Sequence, residues 1–183
     1  MLRVLVLALA TSLALAGGAL AQPAVEVWVQ CPDLGTARGA LGTPDAWAKA
    51  LTYRYDIGRE GDVQSGGGGG AGKATSRGFS ITKELDGLSP AAAKAMFDGR
   101  AIKAVTLTVT RRYDASPDAL EVARIELSDV RIVETTLSSA PAVSGQVLET
   151  WRLTFARITY YAVTRDATGA IRLERTAAFE LPR

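Results

Sequence analysis

The chain has 183 residues, with 21 Lys and Arg against 19 Asp and Glu, so its composition offers neither a basic nucleic-acid surface nor a strongly acidic one. It holds no histidine and a single cysteine, Cys31. That excludes Ser-His-Asp and Cys-His catalysis, the usual zinc sites and any internal disulfide.

Met1-Leu2-Arg3 opens with a positive charge, residues 4–16 are apolar except Thr11 and Ser12, and Gly17-Gly18 leads to Ala19-Leu20-Ala21. This is the three-part layout of a secretory signal peptide, expected over residues 1–21. The apolar run is about 13 residues, whereas a helix that spans a bilayer needs about 20, so cleavage is expected rather than stable membrane insertion. The mature chain, residues 22–183, is the length of one domain and is expected to be exported, periplasmic or secreted. In an oxidising compartment Cys31 is expected to be buried and free, with pairing to another chain as the alternative.

The mature chain reads mainly at a period of two, which predicts strands. Val25, Val27 and Val29 alternate with polar residues; so do Leu51, Tyr53, Tyr55 and Ile57, and then Phe79 and Ile81. Val105, Leu107 and Val109 share one face opposite Thr106, Thr108 and Thr110. Ala123, Ile125 and Leu127 continue the pattern, followed by Val130 and Ile132. In residues 147–163 the apolar parity changes from Trp151, Leu153 and Phe155 to Ile158 and Tyr160, which predicts a β-bulge near Ala156-Arg157. Asp166 to Gly169 reads as a turn before a last strand that ends at Phe179 and Leu181. One segment differs: Ser89 as N-cap, Pro90 in the first helical position, a run of alanines and Gly99 after the end predict a short helix. Its core face is expected to be Ala93, Met96 and Phe97. Residues near Cys31, 39–44 and 138–145 read as loops. About eight strands and one short helix predict a mostly β barrel or closed sandwich.

Residues 66–72 are all glycine except Ala71, and Lys73 follows. Gly67, Gly72 and Lys73 fit the start of a phosphate-binding G-x-x-x-x-G-K loop. The next position is Ala74, which has no hydroxyl for Mg²⁺, and a strand follows rather than a helix, so nucleotide binding is not expected. The loop is expected either to be a free connection between strands or to order against a neighbouring subunit, since glycine lets two backbones approach closely.

The glycine run, then Phe79, Thr82-Lys83, Asp86 and the helix opener Ser89-Pro90, then Lys103-Ala104-Val105 and Leu107-Thr108-Val109, form an ordered set of pieces. Ile125-Glu126-Leu127-Ser128-Asp129-Val130 and Leu153-Thr154-Phe155-Ala156-Arg157-Ile158 complete it. This set resembles the haemolysin-coregulated protein (Hcp) family, the tube-forming subunits of bacterial type VI secretion. The resemblance implies an Hcp-like β-barrel of two sheets with one short flanking α-helix, self-association into six-membered rings that stack, and no catalytic residues; no cofactor or metal is expected. It also implies head-to-tail contacts between two different patches of each subunit. The signal peptide is a departure from the family, whose tube subunits assemble in the cytoplasm.

Two functions follow as expectations. One is a non-enzymatic, ring-forming subunit of the tube type. The other is an exported binding module of the cell envelope on the same barrel, with envelope or effector proteins as partners. The candidate inter-subunit loop comprises Gly66, Gly67, Gly68, Gly69, Gly70, Gly72 and Lys73. Tyr53, Tyr55, Trp151 and Tyr160 lie on the apolar parity and are assigned to the core; Tyr161, on the opposite parity, is the candidate exposed aromatic. An enzyme would have to work with carboxylates or a Ser/Lys pair, but Asp56, Glu84, Asp86, Glu126 and Asp129 are expected on solvated faces or in turns.

Overall fold

The structure, a computed structural model, describes residues 25–35, 47–59, 74–113, 118–140 and 146–181. Among these residues there are eight strands, one α-helix and one short 3-10 turn, Pro32–Leu34. The strands are β1 (Val25–Gln30), β2 (Trp47–Arg59), β3 (Ala74–Glu84), β4 (Ile102–Arg112), β5 (Ala119–Ala140), β6 (Gln146–Thr154), β7 (Arg157–Arg165) and β8 (Ile171–Glu180). The helix α1, Ser89–Phe97, lies between β3 and β4. The signal peptide and the glycine loop fall outside the described residues.

All pairings are antiparallel, in the order β4-β1-β2-β3-β6-β5-β7-β8. A further pairing of β4 with β5 closes the first six strands into a barrel. The two sheets expected from the sequence are thus hydrogen-bonded into one, and closure removes most of the free edge. β5 makes closure possible through its length of 22 residues. Its first half lies between β4 and β7, and its second half pairs with β6. The stretch 138–140, expected as loop, extends this strand.

The parity change near Ala156 occurs in both strands at one level. On β5 the inward row passes from Ile125 and Leu127 to Val130 and Ile132; across from it, the row passes from Leu153 and Phe155 to Ile158. The register is the same on either side, from Ser128↔Arg157 to Arg131↔Thr154. Asp129 adopts a left-handed backbone (φ 53°), and the Ala156 N–H donates to the Ser128 carbonyl at 3.0 Å. A kink in one strand alone would shift the register; matched kinks turn the pair around a barrel corner without losing it.

Phe79, Ile81, Leu107, Leu127, Trp151, Leu153 and Ile158 fill the interior. Tyr53, Tyr55 and Tyr160 pack against this core, with Tyr53 stacked on Phe79 at 5.9 Å and Tyr55 5.7 Å from Phe155. Burying each large side chain contributes roughly 1.5–3 kcal/mol.

Helix α1 packs on β5, but not by the expected face. Ser89, Ala92 and Ala95 are buried, Met96 is half-buried against Thr135, and Phe97 is 84% exposed. The small residues let the helix lie close to the sheet, a fit that a bulky face would prevent. Nor is Ser89 the N-cap: that position is Leu88, whose N–H is held by the Asp86 carboxylate at 2.8 Å. The Ser89 hydroxyl instead turns inward to accept from the Asp86 N–H and from Lys83. Pro90 is therefore second in the helix rather than first, still within the turn that needs no N–H donor, and Gly99 (φ 63°) follows the helix end.

Candidate assembly surface

Among the described residues the interior holds one cluster of ionisable groups, at the base of α1. Lys83 shares the inward parity of Phe79 and Ile81 and is fully buried. Its ammonium lies 2.8 Å from Asp86 Oδ1, 3.2 Å from Glu149 Oε2 and 3.0 Å from both Ser89 Oγ and the Glu84 carbonyl. The ring of Trp151 is 4.8 Å away. β3 and β6 place Lys83 directly across from Glu149, and the turn into α1 brings back Asp86 and Ser89. Assigning charges to solvated parities misses this cluster. The signal is present, since Lys83 follows Phe79 and Ile81 at steps of two and Glu149 precedes Trp151 and Leu153 likewise.

These carboxylates and the amine hold one another in place, with Lys83 and Glu149 closed off from solvent. The thiol of Cys31 lies buried close by; burial pushes its pKa up to about 12, against a smaller opposing pull from Lys83, so it stays a protonated, inert thiol. Among the described residues no three His, Cys, Asp or Glu side chains converge as a metal site would require.

The surface is where the molecule presents recognisable features. At the barrel corner two adjoining open grooves of about 560 and 490 Å³ meet at Asp129, Ala156 and Leu181. The Arg157–Glu180 ion pair (2.5 Å) lines one, and Arg131, held by the Gly99 carbonyl at 2.6 Å, lines the other. On the outer face of β7, Tyr161 is half-buried: the Arg124 guanidinium lies 4.4 Å from its ring centre and its hydroxyl reaches Glu126 at 3.5 Å. The candidate loop, Gly66 to Gly70 with Gly72 and Lys73, joins the neighbouring strands β2 and β3 and lies outside the described residues. A further surface feature is the β7–β8 ribbon, which extends the sheet beyond the barrel with β8 exposed throughout. Among the described residues no helix is long and apolar enough to cross a membrane.

A closed barrel whose buried lysine is held by two carboxylates, and with its distinctive features at the surface, defines a structural protein of the assembly class. The comparisons agree. The family model described as "Type VI secretion system effector, Hcp" matches residues 43–161. The chain belongs to the Hcp family and is a structural protein of the type VI tube type. A solved "type six secretion system protein" superposes with a TM-score of 0.76 at 19% identity, covering 86% of this chain and 96% of that one. Hcp1 from Salmonella typhimurium gives 0.64 at 15% identity, over 86% of this chain and 94% of that one. A type VI effector from Yersinia pestis gives 0.63 at 17%, over 85% and 99%. At these identities the likeness speaks for the fold. No curated protein sequence matches the chain significantly.

Proposed function

We propose that residues 1–21 are cleaved during export and that residues 22–183 form a single barrel that assembles into head-to-tail, hexameric rings outside the cytoplasm. The observation that carries this reading is the family match over residues 43–161, placed on a barrel whose charged interior is fully engaged in its own packing. In this reading the chain is not an enzyme. Its activity lies in its surfaces: a ring needs two unlike, complementary patches per subunit, each burying on the order of 800 Å². The glycine loop, residues 66–73, serves as one contact, approaching the next ring or subunit closely because six of its eight residues are glycine. Tyr161 with Arg124 supplies a rigid aromatic element on the outer face. The lumen or outer wall takes effector or envelope proteins as cargo.

The leader sequence favours one further reading, an envelope binding module in which the barrel is kept and the ring is not. Electron microscopy of the protein purified from the periplasm distinguishes the two. Annular particles are expected, and replacing residues 66–70 with Asn-Gly is expected to leave the barrel folded but weaken stacking of the annuli. Isolated small particles at every concentration support the binding module instead, and unfolding of the loop variant would place that loop in the core.

A further inference from the structure

β8 is the free edge of the sheet: β7 pairs with one side of it, and among the described residues no strand pairs with the other. All ten of its residues are exposed. Such an edge presents a row of unpaired N–H and C=O groups and is normally blunted by bulges, proline or lysine. Here the register with β7 is regular from Leu173 to Glu180, the single shift lies at the turn end of the ribbon, and the strand contains no proline or lysine.

The edge is also patterned. Leu173, Arg175, Ala177 and Phe179 continue the core-side row of Ile158 and Tyr160, while Arg172, Glu174, Thr176 and Glu180 lie on the other face. We propose that β8 pairs with β8 of a second copy, antiparallel, about a two-fold axis at Thr176. In that register each copy sets Leu173 against the other's Phe179 and Arg172 against the other's Glu180, and by symmetry each pair occurs twice. Glu174 and Arg175 meet Ala178 and Ala177. Shifting by two residues in one direction sets Arg175 against Arg175; in the other it sets Glu174 against Glu180. Like charges directly opposite disfavour both. A slip of one joins the apolar face of one copy to the charged face of the other.

The side chains involved have room for a second partner. Arg172 already pairs with Asp166 at 2.8 Å and Glu180 with Arg157, yet they remain 70% and 74% exposed. The contact extends a sheet through main-chain bonds, the recognition mode of strand addition. It uses the same patch on both copies, unlike the two different patches of a ring, and so stands independently of the ring reading.

The test is self-cross-linking of the full chain carrying Thr176→Cys, expressed with its leader, purified and mildly oxidised, with Ala178→Cys and Thr168→Cys as controls. Facing Cα atoms in antiparallel strands are about 4.5–5.5 Å apart, within the range a disulfide bridges. Thr176→Cys is therefore expected to form a reducible dimer at least about tenfold faster than either control. Adding Leu173→Lys, a change at an exposed position, is expected to abolish that advantage. Equal rates at all three positions, or no response to Leu173→Lys, overturns the pairing. A hexamer in which the Thr176→Cys thiol stays reduced overturns it too and leaves the ring reading standing; so does capture of β8 by a different protein or by another segment of this chain.

Discussion

Removing a lysine from water costs several kcal/mol, which only close counter-charges and hydrogen bonds offset. Lys83 meets that condition with Asp86, Glu149 and Ser89, and it joins β3, β6 and the start of α1 at one point. Lys83→Met removes the cation and leaves two carboxylates with reduced partners, so it is expected to cost about 3–5 kcal/mol in urea unfolding. A loss below about 1 kcal/mol would show that the cluster contributes little. Cys31 supports a second prediction. Its thiol is held from the ordinary 9.0 up to about 12 by burial, so the native state keeps a proton that the unfolded chain releases. The associated stability is intact below pH 9 and is lost as pH rises towards 12, at roughly 1.4 kcal/mol per pH unit. Cys31→Ala is expected to flatten the alkaline branch of the stability profile measured by denaturant titration; an unchanged slope would assign it elsewhere, for example to Tyr55 and Tyr160, whose phenols burial also holds neutral.

At the level of elements, α1 shows what a sequence pattern conveys and what it omits. Its existence and limits follow from Pro90, the alanines and Gly99, because those signals are local. Its packing face does not, because it depends on how near the sheet lies, and the sheet is assembled from distant segments. Ala95→Leu is therefore expected to cost about 1–3 kcal/mol by overpacking, whereas Phe97→Ser stays within about 0.5 kcal/mol in the same thermal or urea measurement. The reverse order of effects would restore the face suggested by the hydrophobic spacing. β3 carries a comparable feature. Gly78 (φ 106°) sits at the register shift between Asp56 and Ile57, and a Cβ there would come within 3.1 Å of the Leu153 carbonyl. Gly78→Ala is expected to destabilise by about 1–3 kcal/mol, seen as a lowered Tm. The strands themselves are legible because period two survives in each. The inward Lys83 and Glu149 are not, since a charge on an apolar parity declares itself only when its partner strand is known.

At the scale of the whole molecule, closure depends on one long strand. β5 bridges β4, β7 and β6, and its corner at Asp129 lets a single sheet turn back on itself. The sequence indicates a barrel through strand number and ordered motifs, but it reads residues 147–163 as one run with a bulge, where the corner divides them into β6 and β7. The candidate loop at residues 66–73 and Tyr161 stand out by composition and parity. β8, the most exposed edge, reads only as a last apolar stretch, because nothing in a two-residue alternation tells an edge strand from a central one. The account of the protein as a ring subunit exported from the cytoplasm is tested most directly by the molar mass of the periplasmic protein, measured by light scattering on a sizing column across a wide concentration range. A processed chain beginning at Gln22 and a mass six times that of the protomer, stable on dilution, are predicted. A protomer mass at every concentration would contradict the ring and leave an exported Hcp-fold barrel that acts through another partner.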